Sequence, residues 1–158
     1  MNKLLFPTTT VGSMPRPKYI KDLIEHESEW KQGRTFQKLM DNAVPHIIQM
    51  QDYAGIDIIS DGEWRRKSYI GIIADICSGF QMNIKNVNGE RQTWHTVTSE
   101  IAIKHPGHFA QEASFIKKYS DSKIKVALPS PYLIAERMWD KELSSKVYPT
   151  RRAFTEHL

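Results

Sequence analysis

Apolar residues follow two rhythms along this chain, short β-branched runs and longer stretches in which they recur every three or four positions. Residues 7–13, Pro-Thr-Thr-Thr-Val-Gly-Ser, predict a short strand running into a loop. Pro15 and Pro17 delay a helix until Pro17 itself, a residue suited to a first helical position. Tyr19, Ile20, Leu23 and Ile24 then recur at helical spacing. Beyond a polar stretch, Phe36, Met40, Val44, Ile47, Ile48 and Ala54 mark the buried face of a longer helix, with Pro45 a point of kinking and Gly55 a stop. Ile56 to Ser60 predicts a second strand, and Tyr69, Ile72, Ile73, Ile76, Cys77 and Phe80 a further helical face. Strand, helix, strand, helix points to an α/β fold with parallel strands.

Residues 81–103 break this rhythm. Met82 and Ile84, then Asn88-Gly89, then Trp94 and Val97 predict a β-hairpin, because Asn-Gly is the strongest short hairpin signal. A helix over 109–119, a third strand over 123–128 stopped by Pro129-Ser130-Pro131, a short helix over 133–139 and a last one from Pro149 complete the pattern. Repeats and low-complexity tracts are absent, and 158 residues suit one domain spanning 1–158, with the hairpin as an excursion.

Charge adds little. Ten Lys and Arg balance ten Asp and Glu over residues 1–79, and the net +4 comes from a scattered excess of twelve over eight in the remainder. Nucleic-acid binding normally shows a denser basic stripe, so no nucleic-acid partner is expected. No apolar run approaches the roughly 18–20 residues of a membrane span, and the amino terminus is too short of apolar residues for a signal peptide. A soluble protein of the cytoplasm, without a membrane partner, is the expectation. Cys77, the single cysteine, excludes an intrachain disulfide and reads as a buried structural thiol.

Parallel α/β folds bind ligands at the carboxyl ends of their strands. The first predicted strand ends in Val11-Gly12-Ser13, followed by Met14-Pro15-Arg16; the second ends in Ser60-Asp61-Gly62-Glu63-Trp64-Arg65-Arg66. Gly12 permits close backbone approach, Ser13 offers a hydroxyl and an amide to a carboxylate, and Glu63 can hold an ammonium group. Together they could grip an amino acid at both ends. Each has a plainer reading: Gly-Ser as a turn, Asp-Gly-Glu as turn or cap chemistry, Arg65 and Arg66 as solvated charges, Pro-x-Pro as a rigid stop.

The order of these segments resembles the cobalamin-independent methionine synthase catalytic barrel, above all its short single-barrel members. Residues 8–17, Thr-Thr-Thr-Val-Gly-Ser-Met-Pro-Arg-Pro, resemble its opening. Residues 54–66 resemble its second strand, where a Gly-Glu pair precedes an aromatic residue and an arginine, and residues 126–131 resemble its third. The resemblance implies the amino-terminal part of a (β/α)8 TIM barrel with an inserted β-hairpin. It implies a zinc-dependent thiol methyltransferase that moves a methyl group from a methylated folate to homocysteine in methionine biosynthesis. Zinc would supply the acceptor as a thiolate, which a free thiol with a pKa near ~8.5 scarcely provides at neutral pH. Val11, Gly12 and Ser13 match the segment that binds the amino-acid end of homocysteine, and Glu63 the glutamate that holds its amino group. Trp64 stands where the family has a phenylalanine-like aromatic, and Arg66 matches the arginine after the motif.

The family's zinc ligands are a His-x-Cys pair, a glutamate and a second cysteine, all on later strands; no His-x-Cys occurs here. His105-Pro106-Gly107-His108 reads as a loop rather than a metal site. No catalytic residue and no metal ligand is therefore expected within these residues. A full barrel takes about 250 residues, with about 200 the usual lower figure. A truncated barrel is expected, one that would need a partner, form a homo-oligomer or be poorly stable. The alternatives are a non-catalytic barrel remnant, a relative acting on another thiol or methyl donor, and a basic module for an acidic partner.

Overall fold

A computed structural model describes residues 5–26 and 33–158. The chain is mixed α/β and divides into two compact units, residues 1–66 with 107–127 and residues 67–106 with 128–158.

The first unit starts with a single parallel bridge from Thr9 to Ile58. Helix α1 (Lys18–Glu25) follows, with Pro17 at its N-cap rather than inside it. Helix α2 (Gly33–Tyr53) runs helically through Pro45. Phe36, Met40, Val44, Ile47, Ile48 and Gln51 recur at helical spacing and are all buried. The amides of Gly55 and Ile56 close its end on the carbonyls of Asp52 and Gln51, the paired bonds of a Schellman stop. Strand β1 (Ile58–Ile59) pairs in parallel with strand β4 (Lys123–Ile124), after helix α4 (His108–Ile116). Spatial order thus follows chain order: Thr9, β1, β4. Ile20, the α2 face, Ile59, Trp64 and Ile116 form one core, so Trp64 anchors the loop after β1.

The strands are shorter than the predicted 7–13, 56–60 and 123–128, and β1 shows why. The Ser60 amide donates to Gln51 Oε1 at 3.2 Å, and Gln51 Nε2 donates to the Ser60 carbonyl at 2.8 Å. A buried helix side chain therefore satisfies Ser60 in place of a neighbouring strand. The first strand ends where Gly12 turns to φ +77.

In the second unit helix α3 covers only Ile72–Ile76, not the longer face predicted from Tyr69 to Phe80. From Cys77 the backbone is extended and bridges antiparallel to Ile103, and the Ser78 amide donates to Ala102. The hairpin is β2 (Phe80–Val87) with β3 (Glu90–Val97), paired from Phe80↔Val97 to Val87↔Glu90, narrower than the expected 81–103. Asn88 and Gly89 have φ of +52 and +85, the two-residue turn that matches strand twist. Helix α5 (Pro131–Met138) is capped by Ser130 and helix α6 (Arg151–His157) by Thr150, each side chain accepting from the amide three residues on. Phe154 packs against Phe80 and Tyr148 at ring distances of 6.3 and 5.0 Å.

Candidate functional site

The loop after β1 is built from backbone conformations that few sequences accept. Gly62 and Glu63 have φ of +68 and +57, two successive left-handed residues. Gly62 is required on two counts: its φ, and Met14, whose Cβ lies 3.0 Å from where a side chain would begin. Glu63 has no such excuse. A non-glycine residue there costs about 1–2 kcal/mol and persists only where its surroundings over-determine it.

Those surroundings are explicit. Asp61 Oδ1 accepts from the Glu63 amide at 2.9 Å, and Ser60 Oγ from the Gly62 amide at 3.1 Å. The Met14 amide donates to the Gly62 carbonyl at 3.0 Å. Arg16 Nη2 donates to the carbonyls of Glu63 and Arg66, each at 2.6 Å. Ser13 Oγ donates to Glu63 Oε2 at 2.7 Å. Lys125 Nζ donates to the Thr10 carbonyl and so pins the end of the first strand to the continuation of β4.

Ser13 and Glu63, fifty residues apart, are thus brought together. Glu63 is only 6% exposed, whereas Val11 is 93% exposed on the open side of its loop. Gly12 has open space where a Cβ would project. A carboxylate has about four acceptor positions, and Ser13 occupies one. A hydroxyl and a buried carboxylate at adjoining strand ends can take the polar end of a zwitterion. Ser130, expected at the end of the third strand, instead caps α5 in the second unit.

Arg66 is not the solvated charge its sequence context suggests. Its side chain is 1% exposed, and Nε and Nη2 donate to Glu112 Oε1 and Oε2 at 3.3 and 2.6 Å. Nη1 donates to the Ala127 carbonyl at 2.6 Å, and the guanidinium lies 5.4 Å from the Phe109 ring centroid. Arg65 is 15% exposed, paired with Asp41 at 2.7 Å and stacked 4.3 Å from the centroid of Phe115. Burial pushes the Asp61 carboxyl above its ordinary range, and the negative Glu112 adds to the rise, against the Glu63 amide and the arginines. Its Oδ2 is buried without a hydrogen-bond partner.

Gln51 and Glu112 were not singled out from sequence. Both left a signal: each is polar at a core position of a helical period, Gln51 after Val44, Ile47 and Ile48, Glu112 between Phe109 and Ile116. Among the described residues, no three His, Cys, Asp or Glu side chains are placed to hold a metal ion. His108 Nε2 lies 3.4 Å from Glu112 Oε1, but that carboxylate is already bound to Arg66. Cys77 is half-buried, and burial pushes its thiol up.

Residues 6–110 match the model of the cobalamin-independent synthase catalytic domain. The chain belongs to that family. It is 31% identical to the methionine synthase of Saccharolobus solfataricus, an alignment covering 92% of this chain and 45% of that protein. It is 29% identical to the methionine synthase of Sulfurisphaera tokodaii, covering 90% and 43%. The chain therefore spans less than half the length of these curated relatives. Among solved structures, the B12-independent methionine synthase of a Shewanella species, in complex with selenomethionine, superposes with a TM-score of 0.73 at 24% identity over 98% of this chain and 45% of that one. The putative vitamin-B12-independent methionine synthase of Listeria monocytogenes gives 0.62 at 22% identity, over 96% and 49%. The mixed α/β fold of this chain is thus similar to the matching parts of both structures. No helix among the described residues is long and apolar enough to cross a membrane.

Proposed function

We propose that this chain is the amino-terminal part of a (β/α)8 methyltransferase barrel, a single partial domain with the 80–97 hairpin inserted. Its role is to hold the amino-acid end of homocysteine, or of a related thiol, for methylation by a methylated folate. The observation that carries this reading is the Ser13–Glu63 hydrogen bond, which joins two strand ends in the family's order. Parallel neighbours in chain order, Thr9, β1 and β4, support the barrel. The Shewanella relative's complex with selenomethionine supports an amino acid with a sulfur-like atom as the ligand class.

In this reading Glu63 accepts from the ligand's ammonium group. Ser13 spends its hydroxyl proton on Glu63 and would meet the ligand's carboxylate with its backbone amide, beside Val11 and Gly12. Both charges of the zwitterion are thereby oriented, which leaves the thiol to project away from the strand ends. Zinc, the family's metal, would make that thiol a thiolate when bound; the described residues do not supply its ligand set, and the steps assigned to this chain are binding and orientation. A cytoplasmic setting, where methylated folate and homocysteine meet, fits the same reading.

The test is calorimetric titration of homocysteine into the folded 158-residue chain and its Ser13→Ala and Glu63→Gln variants. Glu63→Gln should weaken binding about tenfold or more and Ser13→Ala somewhat less, because a charge-assisted hydrogen bond contributes about 1.5–3 kcal/mol. Equal affinity in all three proteins would remove the site assignment.

A further inference from the structure

Glu63 can serve a ligand only if its Cα–Cβ bond points toward Ser13, and that direction is set by the two peptide planes that flank it. Both planes are held. The Glu63 amide on one side is fixed by Asp61 Oδ1 at 2.9 Å. The Glu63 carbonyl on the other side is held by Arg16 Nη2 at 2.6 Å and by the Arg66 amide at 3.2 Å. The same Arg16 nitrogen reaches the Arg66 carbonyl at 2.6 Å, so one guanidinium spans the turn from 63 to 66.

Arg16 also ties this turn to the loop that carries Ser13. Ser13, Met14 and Arg16 each donate to the 62–66 turn, from side chain, backbone and side chain in sequence. Arg16 is half-buried, and its Nε is buried without a partner. Nη2 thus binds only backbone carbonyls, while Glu63 and Asp61 supply negative charge around it. An arginine that neutralised Glu63 directly would compete with a ligand's ammonium group. One that grips the backbone leaves the carboxylate to Ser13 and the ligand.

We propose that Arg16 is a positioning residue: by clamping the left-handed turn at Glu63 it sets the preference of the site for a ligand that carries an ammonium group. The inference rests on the binding role given to Glu63 above.

Two readouts test it in the 158-residue chain, with Arg16→Met, Arg16→Lys and the control Lys21→Met. The first is the ratio of calorimetric affinities for homocysteine and for γ-mercaptobutyrate, which keeps thiol and carboxylate but lacks the amine. The second is the carbon NMR resonance of the Glu63 carboxylate, assigned by its loss in Glu63→Gln. Arg16→Met should reduce the preference for homocysteine about tenfold and shift the Glu63 resonance toward its position in Ser13→Ala. Arg16→Lys should recover part of both, because its ammonium has donors for both carbonyls but sits on a shorter side chain than the Nη2 that reaches them. Lys21→Met should match the unaltered protein. If Arg16→Met does not fold, Arg16→Lys carries both readouts. Retained preference together with an unmoved resonance would overturn the proposal. If the unaltered protein shows no preference for homocysteine, the ligand reading falls, and the proposal's selectivity claim with it. The resonance then still reports separately whether Arg16 holds Glu63.

Discussion

Two turns in this chain each place two successive residues in the left-handed region, Gly62-Glu63 after β1 and Asn88-Gly89 in the hairpin. The hairpin turn uses residues that suit the conformation. Asparagine tolerates it and glycine is indifferent to it, both are exposed, and a Cβ at Gly89 would meet nothing within 4 Å. The other turn puts a glutamate there and buries it. Local chemistry alone makes the first turn; the second is imposed by Asp61, Arg16, Met14 and the Trp64 anchor. Strain that the sequence does not relieve, held by so many partners, marks the place where side-chain direction matters more than local stability.

The comparison breaks first at the support beneath the strained turn. Arg66→Met leaves Glu112 buried without its cation, and Glu112→Gln leaves the guanidinium without its counter-charge. Loss of one partner of a buried pair typically costs about 3–5 kcal/mol. Either variant should lower the urea midpoint of the chain by far more than loss of the exposed Lys18–Asp22 pair, whose members are 89% and 47% exposed. Equal midpoints for Arg66→Met and Lys18→Met would show that the turn does not depend on the ion pair below it.

The second test is pH. The Asp61 carboxyl ionises at about pH 4 when unfolded. In the fold burial raises it, with Glu112 adding to the rise. Above pH ~4 the folded state therefore holds more protons at this residue than the unfolded state does, and this contribution to stability falls as pH rises through the folded value. Asp61→Asn retains an oxygen for the Glu63 amide and removes the titration. Its urea midpoint should gain on that of the unaltered protein as pH is raised from acidic to neutral. Parallel profiles would mean that Asp61 titrates as it does in water.

Much of this was legible in the sequence, and the boundary is physical. Helical period located α1 and α2, the sequence placed helices near α4, α5 and α6, Asn88-Gly89 located the hairpin, and the family's motif order singled out Ser13 and Glu63, which the structure joins. Strand length was not legible, because Ser60 finds its hydrogen bonds on Gln51, a side chain nine residues back on a helix. Nor was the burial of Arg66, since its partners Glu112 and Ala127 lie 46 and 61 residues away. A charged residue next to a turn reads as solvated until a distant carboxylate is known to meet it. The polar residues at core positions of α2 and α4 were the available clue, and both proved to support the turn.

The last prediction compares the two turns at their glycines. Alanine at Gly89 suffers only the left-handed conformation, so Gly89→Ala should cost about 1–2 kcal/mol. Alanine at Gly62 suffers the same conformation and also meets Met14 Cβ at 3.0 Å, Met14 Cγ at 3.1 Å and Ile47 Cγ1 at 3.2 Å. Overpacking adds about 1–3 kcal/mol, so Gly62→Ala should cost about 2–5 kcal/mol by denaturant titration. The two variants also differ in kind. Gly62→Ala pushes Met14 away from the turn, which strains the Met14–Gly62 hydrogen bond and the Ser13–Glu63 pair beside it. Homocysteine binding should weaken in Gly62→Ala and stay unchanged in Gly89→Ala. Equal costs and equal binding would mean that the two turns differ only in where they lie, and that the packing of Met14 against Gly62 contributes nothing to the site.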